Sequence, residues 1–318
     1  MPPRVQGIED ISKPLQKSRL NKKGLCDYVV NVASGCLHGC TFCYVPSTPV
    51  IRTNQESLRS KGVNDPQMDW GNYLFVRESL PEKLEEQISR KRKWTISNSG
   101  QGVTLLCSGT DPYQNRRVSS ISRQSIQILS NHKKRVRVLT RSPLWVSDLD
   151  ILTNPQITIG MSIPHLEDDL SRQIEPYAPL PSDRYKALRQ GQASGCRIFV
   201  AMAPTPPVLS RHQIHVTLSN ILAIEPEVIF WEPINARGSN GRRMRSAGLA
   251  WVESVSDKQT WATDFLRQWD LVEDVASQLG CLERLHVWPD PELKKYTTDH
   301  SRIDKWLYRQ TCEHWGEL

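Results

Sequence analysis

The chain of 318 residues contains no apolar run that approaches the length of a membrane span. Its first stretch, Met1–Lys23, is polar and lacks the apolar segment of a signal peptide. Both absences lead us to expect a cytoplasmic protein with no membrane partner. The eight cysteines are scattered along a long chain, which argues against a disulfide framework and for reduced thiols. No internal repeat and no low-complexity linker interrupts it. The hydrophobic fraction of 38% and charged fraction of 24% suit a globular protein with a sizeable core.

One dense feature stands out. Cys36, Cys40 and Cys43 lie in the run Ser34-Gly-Cys-Leu-His-Gly-Cys-Thr-Phe-Cys-Tyr44, spaced C-x3-C-x2-C. Three thiolates this close can hold three irons of a four-iron cluster. No fourth cysteine is near, so one iron is left without a protein ligand, and an open metal position separates a reactive site from a structural one. The competing reading is a zinc site or a chance cluster. Zinc wants four ligands, often from two paired clusters. His38 sits too near both neighbouring cysteines to complete a tetrahedron easily, and Cys26, Cys107, Cys196, Cys281 and Cys312 form no second pair.

Along the chain, short β-rich runs alternate with longer amphipathic ones, the pattern of βα units around a parallel sheet. Strands are expected at Tyr28–Asn31, Val103–Cys107, Val136–Leu139, Ile157–Ile163, Arg197–Ala203 and Val228–Glu232. Helices are expected over Ser79–Lys93 (Ser79 as its cap), Val118–His132, Leu144–Leu152, Pro181–Ala193 and within Ser210–Ile224. Gln55–Trp70 reads as a long polar loop. The fold class is therefore α/β: a partial (βα)6 TIM-type barrel, with chemistry at the C-terminal rim of its strands. The expected organisation is an N-terminal extension (1–26), the barrel core (27–248) and a helical, Trp-rich C-terminal region (249–318). The last part would cover the barrel's open side with a helix over Thr260–Leu279, a short strand at Arg284–Val287 and a final helix near Ile303–Trp315.

The formal charge of +7 concentrates at Arg90–Lys93, Lys133–Arg137 and Arg237–Arg245. The first two close expected helices, where cations oppose the helix dipole. The Arg237–Arg245 loop has no such role and is the candidate contact for an anionic substrate or nucleic acid.

The ordered motifs resemble one branch of the radical S-adenosylmethionine (SAM) superfamily, the spore photoproduct lyase-like or DNA repair photolyase-like proteins. Asn31, Gly35, the three cysteines, His38 and Tyr44 match its signature, while Val32, Ala33, Val45 and Pro46 depart from it. Val76–Ser79, Thr110–Gln114, Thr140–Ser142, Glu175–Pro179 with Arg184, and Met202–Pro206 follow in the family's order. The matches end at about Pro206 and leave the final third unexplained.

This resemblance implies a 4Fe-4S cluster on Cys36, Cys40 and Cys43, with SAM on its open iron. It implies acceptors for the SAM amino group from Ser108, Gly109, Thr110 and Asp111, with Gly109 allowing close approach. Arg141 stands where the family has a lysine and would grip the SAM carboxylate at two points. Ser162 would meet the ribose, and Phe42 and Tyr44 would pack beside the cluster and the adenine. The implied chemistry is reductive cleavage of SAM, giving a radical that takes hydrogen from a nucleic acid or other anionic substrate. Tyr44 matches a hydrogen-relaying tyrosine. Cys107 lies near a hydrogen-donating cysteine but is displaced by one residue, which on a strand reverses the facing. A reductant protein such as flavodoxin or ferredoxin is the implied partner. Modification of a peptide or small molecule, and a non-catalytic zinc-binding nucleic-acid adaptor, are the alternatives.

Overall fold

The computed structural model describes residues 4–313 and 315. Its strands are β1 (Val5–Ile8), β2 (Leu15–Lys17), β3 (Tyr28–Val30), β4 (Ala33–Gly35), β5 (Tyr73–Val76), β6 (Thr104–Leu106), β7 (Val136–Thr140), β8 (Ile157–Ser162), β9 (Arg197–Thr205), β10 (Ile229–Pro233) and β11 (Leu285–Val287). Eight of them form one sheet in the order β11-β10-β9-β8-β7-β6-β3-β2. Every neighbouring pair in it is parallel except the edge pair β2–β3. A small sheet, β1-β5-β4, lies apart and delivers the chain into the cysteine loop.

Alternate residues along the parallel strands feed two cores, as a period of two requires. Val29, Leu105, Phe199, Ala201 and Phe230 share an inner cluster. Because β3 and β10 lie far apart in strand order, their meeting there means that the sheet curls into a partial barrel. Val30, Leu106, Val138, Ile159, Val200 and Trp231 face outward into a core shared with Leu84, Ile121, Leu188, Leu218 and Phe265 of the surrounding helices. Burial on both faces accounts for the near-continuous apolar runs in the sequence.

All six expected strands are present, and β11 adds a seventh parallel strand. The terminal segments thus both supply strands to the sheet. The helix Lys258–Gln278 takes its place in the outer layer and does not cover the barrel's open side. It buries Trp261, Phe265, Trp269 and Val272 at helical spacing, with Phe265 edge-on to Trp231 at 5.6 Å. Each such aromatic contributes about 1.5–3 kcal/mol through area removed from water.

Several local expectations are corrected. The helix Leu80–Ser89 has no side-chain cap from Ser79, whose hydroxyl donates to Asp10 instead. Asn115 caps the helix Arg116–Asn131, and a Ser210–Gln213 capping box starts Arg211–Leu222. The Gln55–Trp70 stretch contains a helix, Gln55–Ser60, packed through Leu58. Leu144–Leu152 divides into a 3-10 turn, Pro143–Asp148, and one helical turn, Leu149–Leu152. The last helix is His300–Trp306, short of the expected Trp315; His314 within that expected range lies outside the described residues.

Beyond that helix the chain passes beneath the barrel's N-terminal end. Gln101 donates to Thr311 at 3.1 Å, and Arg137 pairs with Glu313, both fully buried. Arg137 is therefore not part of a surface basic cluster. It points inward, donates to the carbonyls of Gly24 and Leu25, and stacks near Phe199 and Phe230.

Candidate functional site

At the C-terminal ends of the strands a cavity of about 220 Å³ opens inside the barrel. Eleven of the twelve residues singled out for chemistry or cofactors line it: Cys36, Cys40, Phe42, Cys43, Tyr44, Cys107, Ser108, Thr110, Asp111, Arg141 and Ser162. Gly109 does not. A β-carbon there would come 2.9 Å from Val50 and 3.3 Å from the Asn31 carboxamide, so its bareness answers packing within the protein and not approach of a ligand.

The cysteine loop follows β4 and is fastened from several sides. Gln114 accepts from the Leu37 amide at 2.7 Å, Ile174 accepts from the amide and hydroxyl of Thr41, and Tyr177 donates its amide to the His38 carbonyl. Asn240 donates to the Phe42 carbonyl at 2.8 Å and Arg243 donates to the Cys43 carbonyl. Cys36 and Cys40 are buried and Cys43 is partly so. Burial pushes all three thiols above their ordinary range, opposed at Cys40 and Cys43 by the charge of Arg141 and at Cys43 also by Arg243. Among the described residues, no three His, Cys, Asp or Glu side chains converge as ligands of one ion would.

The Arg237–Arg245 segment is corrected by these contacts. It is largely a helix, Asn240–Ser246, and its charges are mostly engaged. Arg237 pairs with Asp290, Arg243 is buried against the cysteine loop, and Arg245 pairs with Glu253 at 2.7 Å.

The ends of β6, β7 and β8 supply the facing wall. Asn31, just past β3, accepts from the amides of Ser108 and Gly109 at 2.8 and 2.7 Å and so shapes that turn. Thr110 donates to the Gly35 carbonyl and accepts from Gln114. Asp111 is a brace: it accepts from Thr140 at 2.7 Å, from the Arg141 amide at 2.7 Å and from the Tyr113 amide at 2.9 Å. Burial would raise its carboxyl, but His38, 3.2 Å away, and these donors leave it below the usual range. Both of its oxygens thereby serve the β6–β7 junction.

Arg141 leaves β7 stacked near Phe42, 5.5 Å from the ring centroid, with Nε donating to Glu175 at 2.5 Å. Its two Nη groups have no hydrogen-bond partner among the described residues, and the residue lines the cavity. Ser162 gives its carbonyl to Arg184 at 2.9 Å, while its hydroxyl makes no hydrogen bond among the described residues. Cys107 touches the cavity but packs with Leu106 and Val32 in the outer core, and burial pushes its thiol up to about 12. Tyr44 is 39% exposed, with Arg237 5.7 Å from its ring centroid.

Opposite Tyr44 the wall comes from residues that the sequence did not single out. Lys23 pairs with Glu232 at 2.6 Å and sits 5.5 Å from the Trp288 ring, and Asn235 donates to Asp290 at 2.8 Å. Glu175, Arg184 and Asn31 were visible only as matches to a family pattern, without a role.

The family model described as the radical SAM superfamily matches residues 30–220. An uncharacterized protein of Acidianus two-tailed virus is 30% identical over 241 residues, covering 73% of this chain and 74% of the viral one. An uncharacterized protein of Methanocaldococcus jannaschii is 26% identical over 185 residues, covering 57% of this chain and 61% of its own length. Among solved structures, spore photoproduct lyase complexed with dinucleoside spore photoproduct superposes with a TM-score of 0.62 at 14% identity, over 89% of this chain and 80% of that one. Streptococcus suis SuiB bound to S-adenosylmethionine gives 0.53 at 14% identity, over 95% of this chain and 55% of that one. At such identities the two structures speak for the partial-barrel fold. With the family match over most of the barrel and the fold in agreement, the chain belongs to the radical SAM superfamily, whose enzymes use a 4Fe-4S cluster and S-adenosylmethionine.

Proposed function

We propose that Cys36, Cys40 and Cys43 hold the 4Fe-4S cluster and that SAM lies between it and the ends of β6, β7 and β8. The observation carrying this reading is convergence: three thiols, two of them buried, a guanidinium with unpartnered nitrogens and a free hydroxyl, from three separate segments, line one cavity. The donor set fits the pair of groups. Three cysteines spaced C-x3-C-x2-C on one loop suit a cubane, which takes each thiolate on a different iron. The family match displaces the zinc-binding adaptor.

In this reading Arg141 donates from its Nη groups to the SAM carboxylate in a charge-assisted fork. Ser162 offers a hydroxyl to the ribose. Ser108 offers a hydroxyl and Thr110 a carbonyl near the amino group, while Asn31 and Asp111 keep those strand ends in place. Phe42 excludes water beside Cys43. The bound cofactors supply reductive cleavage of the sulfonium and the radical chemistry that follows. Tyr44 and Cys107 remain the two candidates for passing a hydrogen atom, Tyr44 being the more accessible from the cavity.

The substrate would enter between Tyr44 and Trp288. A net charge of +7, with Lys23 and Arg237 at this mouth, supports a nucleic acid or other anionic substrate, although both cations are already paired. A reductant such as flavodoxin or ferredoxin would supply the electron.

The test is anaerobic reconstitution with iron and sulfide, followed by reduction with SAM and candidate substrates in heavy water. We expect about four irons per chain and 5′-deoxyadenosine formed only in the reduced sample. Mass spectrometry of that product identifies whose hydrogen was taken. Stoichiometric zinc with no SAM cleavage would overturn the assignment.

A further inference from the structure

Glu175 is fully buried, yet it lines neither the cavity nor a strand. It closes the helix Asp168–Ile174, and its two oxygens do different work. Oε1 accepts from Arg141 Nε at 2.5 Å and lies 3.8 Å from Cys40 Sγ. Oε2 accepts from Arg184 Nη2 at 2.5 Å and from the Ser171 hydroxyl at 3.1 Å. Arg184 is spent in turn, donating also to the carbonyls of Ser162 and Pro179.

This one carboxylate therefore joins three parts of the site: the cysteine loop at Cys40, the end of β7 at Arg141 and the end of β8 through Arg184. Each oxygen is ion-paired with a different guanidinium, Oε1 with Arg141 and Oε2 with Arg184. The carboxylate is thus fixed by two cations that are themselves fixed.

We propose that Glu175 is the positioning residue of this cofactor site: it aims the Arg141 fork into the cavity and sets a carboxylate beside Cys40. The inference rests on the functional reading above and goes beyond it. Two consequences follow. Without Glu175, Arg141 is free to turn on its long side chain and loses its preorganised grip on a carboxylate. A negative charge against a cluster ligand also opposes addition of an electron, so removing it raises the cluster's midpoint potential.

The experiment uses the full chain, reconstituted anaerobically, with three readouts: iron content, SAM affinity by equilibrium dialysis, and midpoint potential by EPR-monitored titration. Glu175→Gln keeps the shape and removes the charge. We expect near wild-type iron content, SAM binding weaker by tenfold or more, and a higher potential. Glu175→Asp keeps the charge and should restore the potential more fully than the affinity. Arg184→Lys, which keeps a cation but loses the fork, should weaken SAM binding less than Glu175→Gln, and it carries the test if Glu175→Gln does not fold. Folded, iron-loaded variants that bind SAM within twofold of wild type at an unchanged potential overturn the inference alone. Wild-type protein that takes up no cluster overturns the functional reading and this inference with it.

Discussion

Strand β7 sends two arginines into the same barrel, four residues apart, and they meet opposite fates. Arg137 faces the N-terminal end, where Glu313 and the Gly24 and Leu25 carbonyls surround it, and it is 1% exposed. Arg141 faces the rim, where Glu175 takes only its Nε and leaves the fork open to the cavity. Both have a buried glutamate. What differs is where the unused donors lie: the one unpartnered nitrogen of Arg137, Nε, is sealed inside the protein, whereas Arg141 keeps unpartnered nitrogens on a residue that lines the cavity. A guanidinium enclosed on all sides belongs to the fold, while one with donors unused at a cavity wall is available to a ligand.

The largest effect that would sharpen this contrast is at the rim. Cys40→Ala should abolish the cluster and SAM cleavage while the melting temperature of the metal-free protein shifts little, because no part of the sheet rests on that thiol. Iron analysis beside thermal melting checks it, and retained SAM cleavage would remove Cys40 from the ligand set.

Next comes the opposite end. Glu313→Ala leaves Arg137 buried without its carboxylate, which costs about 3–5 kcal/mol. Denaturant unfolding should show that loss, while SAM affinity of the folded fraction stays unchanged. Arg141→Ala should give the reverse pattern. Losing a charge-assisted grip on a carboxylate is worth about 1.5–3 kcal/mol, or roughly ten- to a hundredfold in SAM affinity, with iron content nearly unchanged. If iron is lost instead, Arg141 supports the cysteine loop and not SAM.

The smallest effect is a pH dependence that should belong to the closed end. His286, edge-on to Phe230 and Trp306, is pulled down to about 3 by burial and then by the nearby charges of Arg309 and Arg137. The folded pKa is below the unfolded value of 6.5, so the folded state keeps His286 neutral while the unfolded chain takes up a proton. Its contribution is complete above pH 6.5 and drains away as pH falls toward 3, by about 1.4 kcal/mol per unit at most. Unfolding free energies measured between pH 7 and 5 should decline, and His286→Leu should flatten that decline. His165, held down to about 4 mainly by burial, adds a second component that this variant leaves in place.

The sequence displays the barrel well because six strands are buried on both faces and read as apolar runs. The cysteine loop is equally legible, since its spacing is local. The missing pieces depend on distance along the chain. Strand β11 is legible as the short run Arg284–Val287, but its membership of the barrel sheet comes only from pairing with β10. Arg137 and Arg243 look like members of basic surface clusters until the fold brings Glu313 and the Cys43 carbonyl to them, across 176 and 200 residues. Glu175 shows the same problem at the site itself. Its place in a family motif is visible, but Cys40 lies 135 residues away in sequence and Arg141 lies 34 away. Charge patterning could not separate a phosphate-tracking loop from arginines spent on carbonyls, because both read as a run of cations.

The tie between Arg137 and Glu313 also has a temporal side. Ribosomes add about 5–20 residues each second, so a nascent chain holds that arginine for on the order of ten to thirty seconds before its counterion is synthesised. Every strand of the sheet has been made by then, yet the underside of the barrel still lacks its stopper. Products of premature termination upstream of residue 313 would keep this defect for life, and they are the forms that quality-control proteases should clear first.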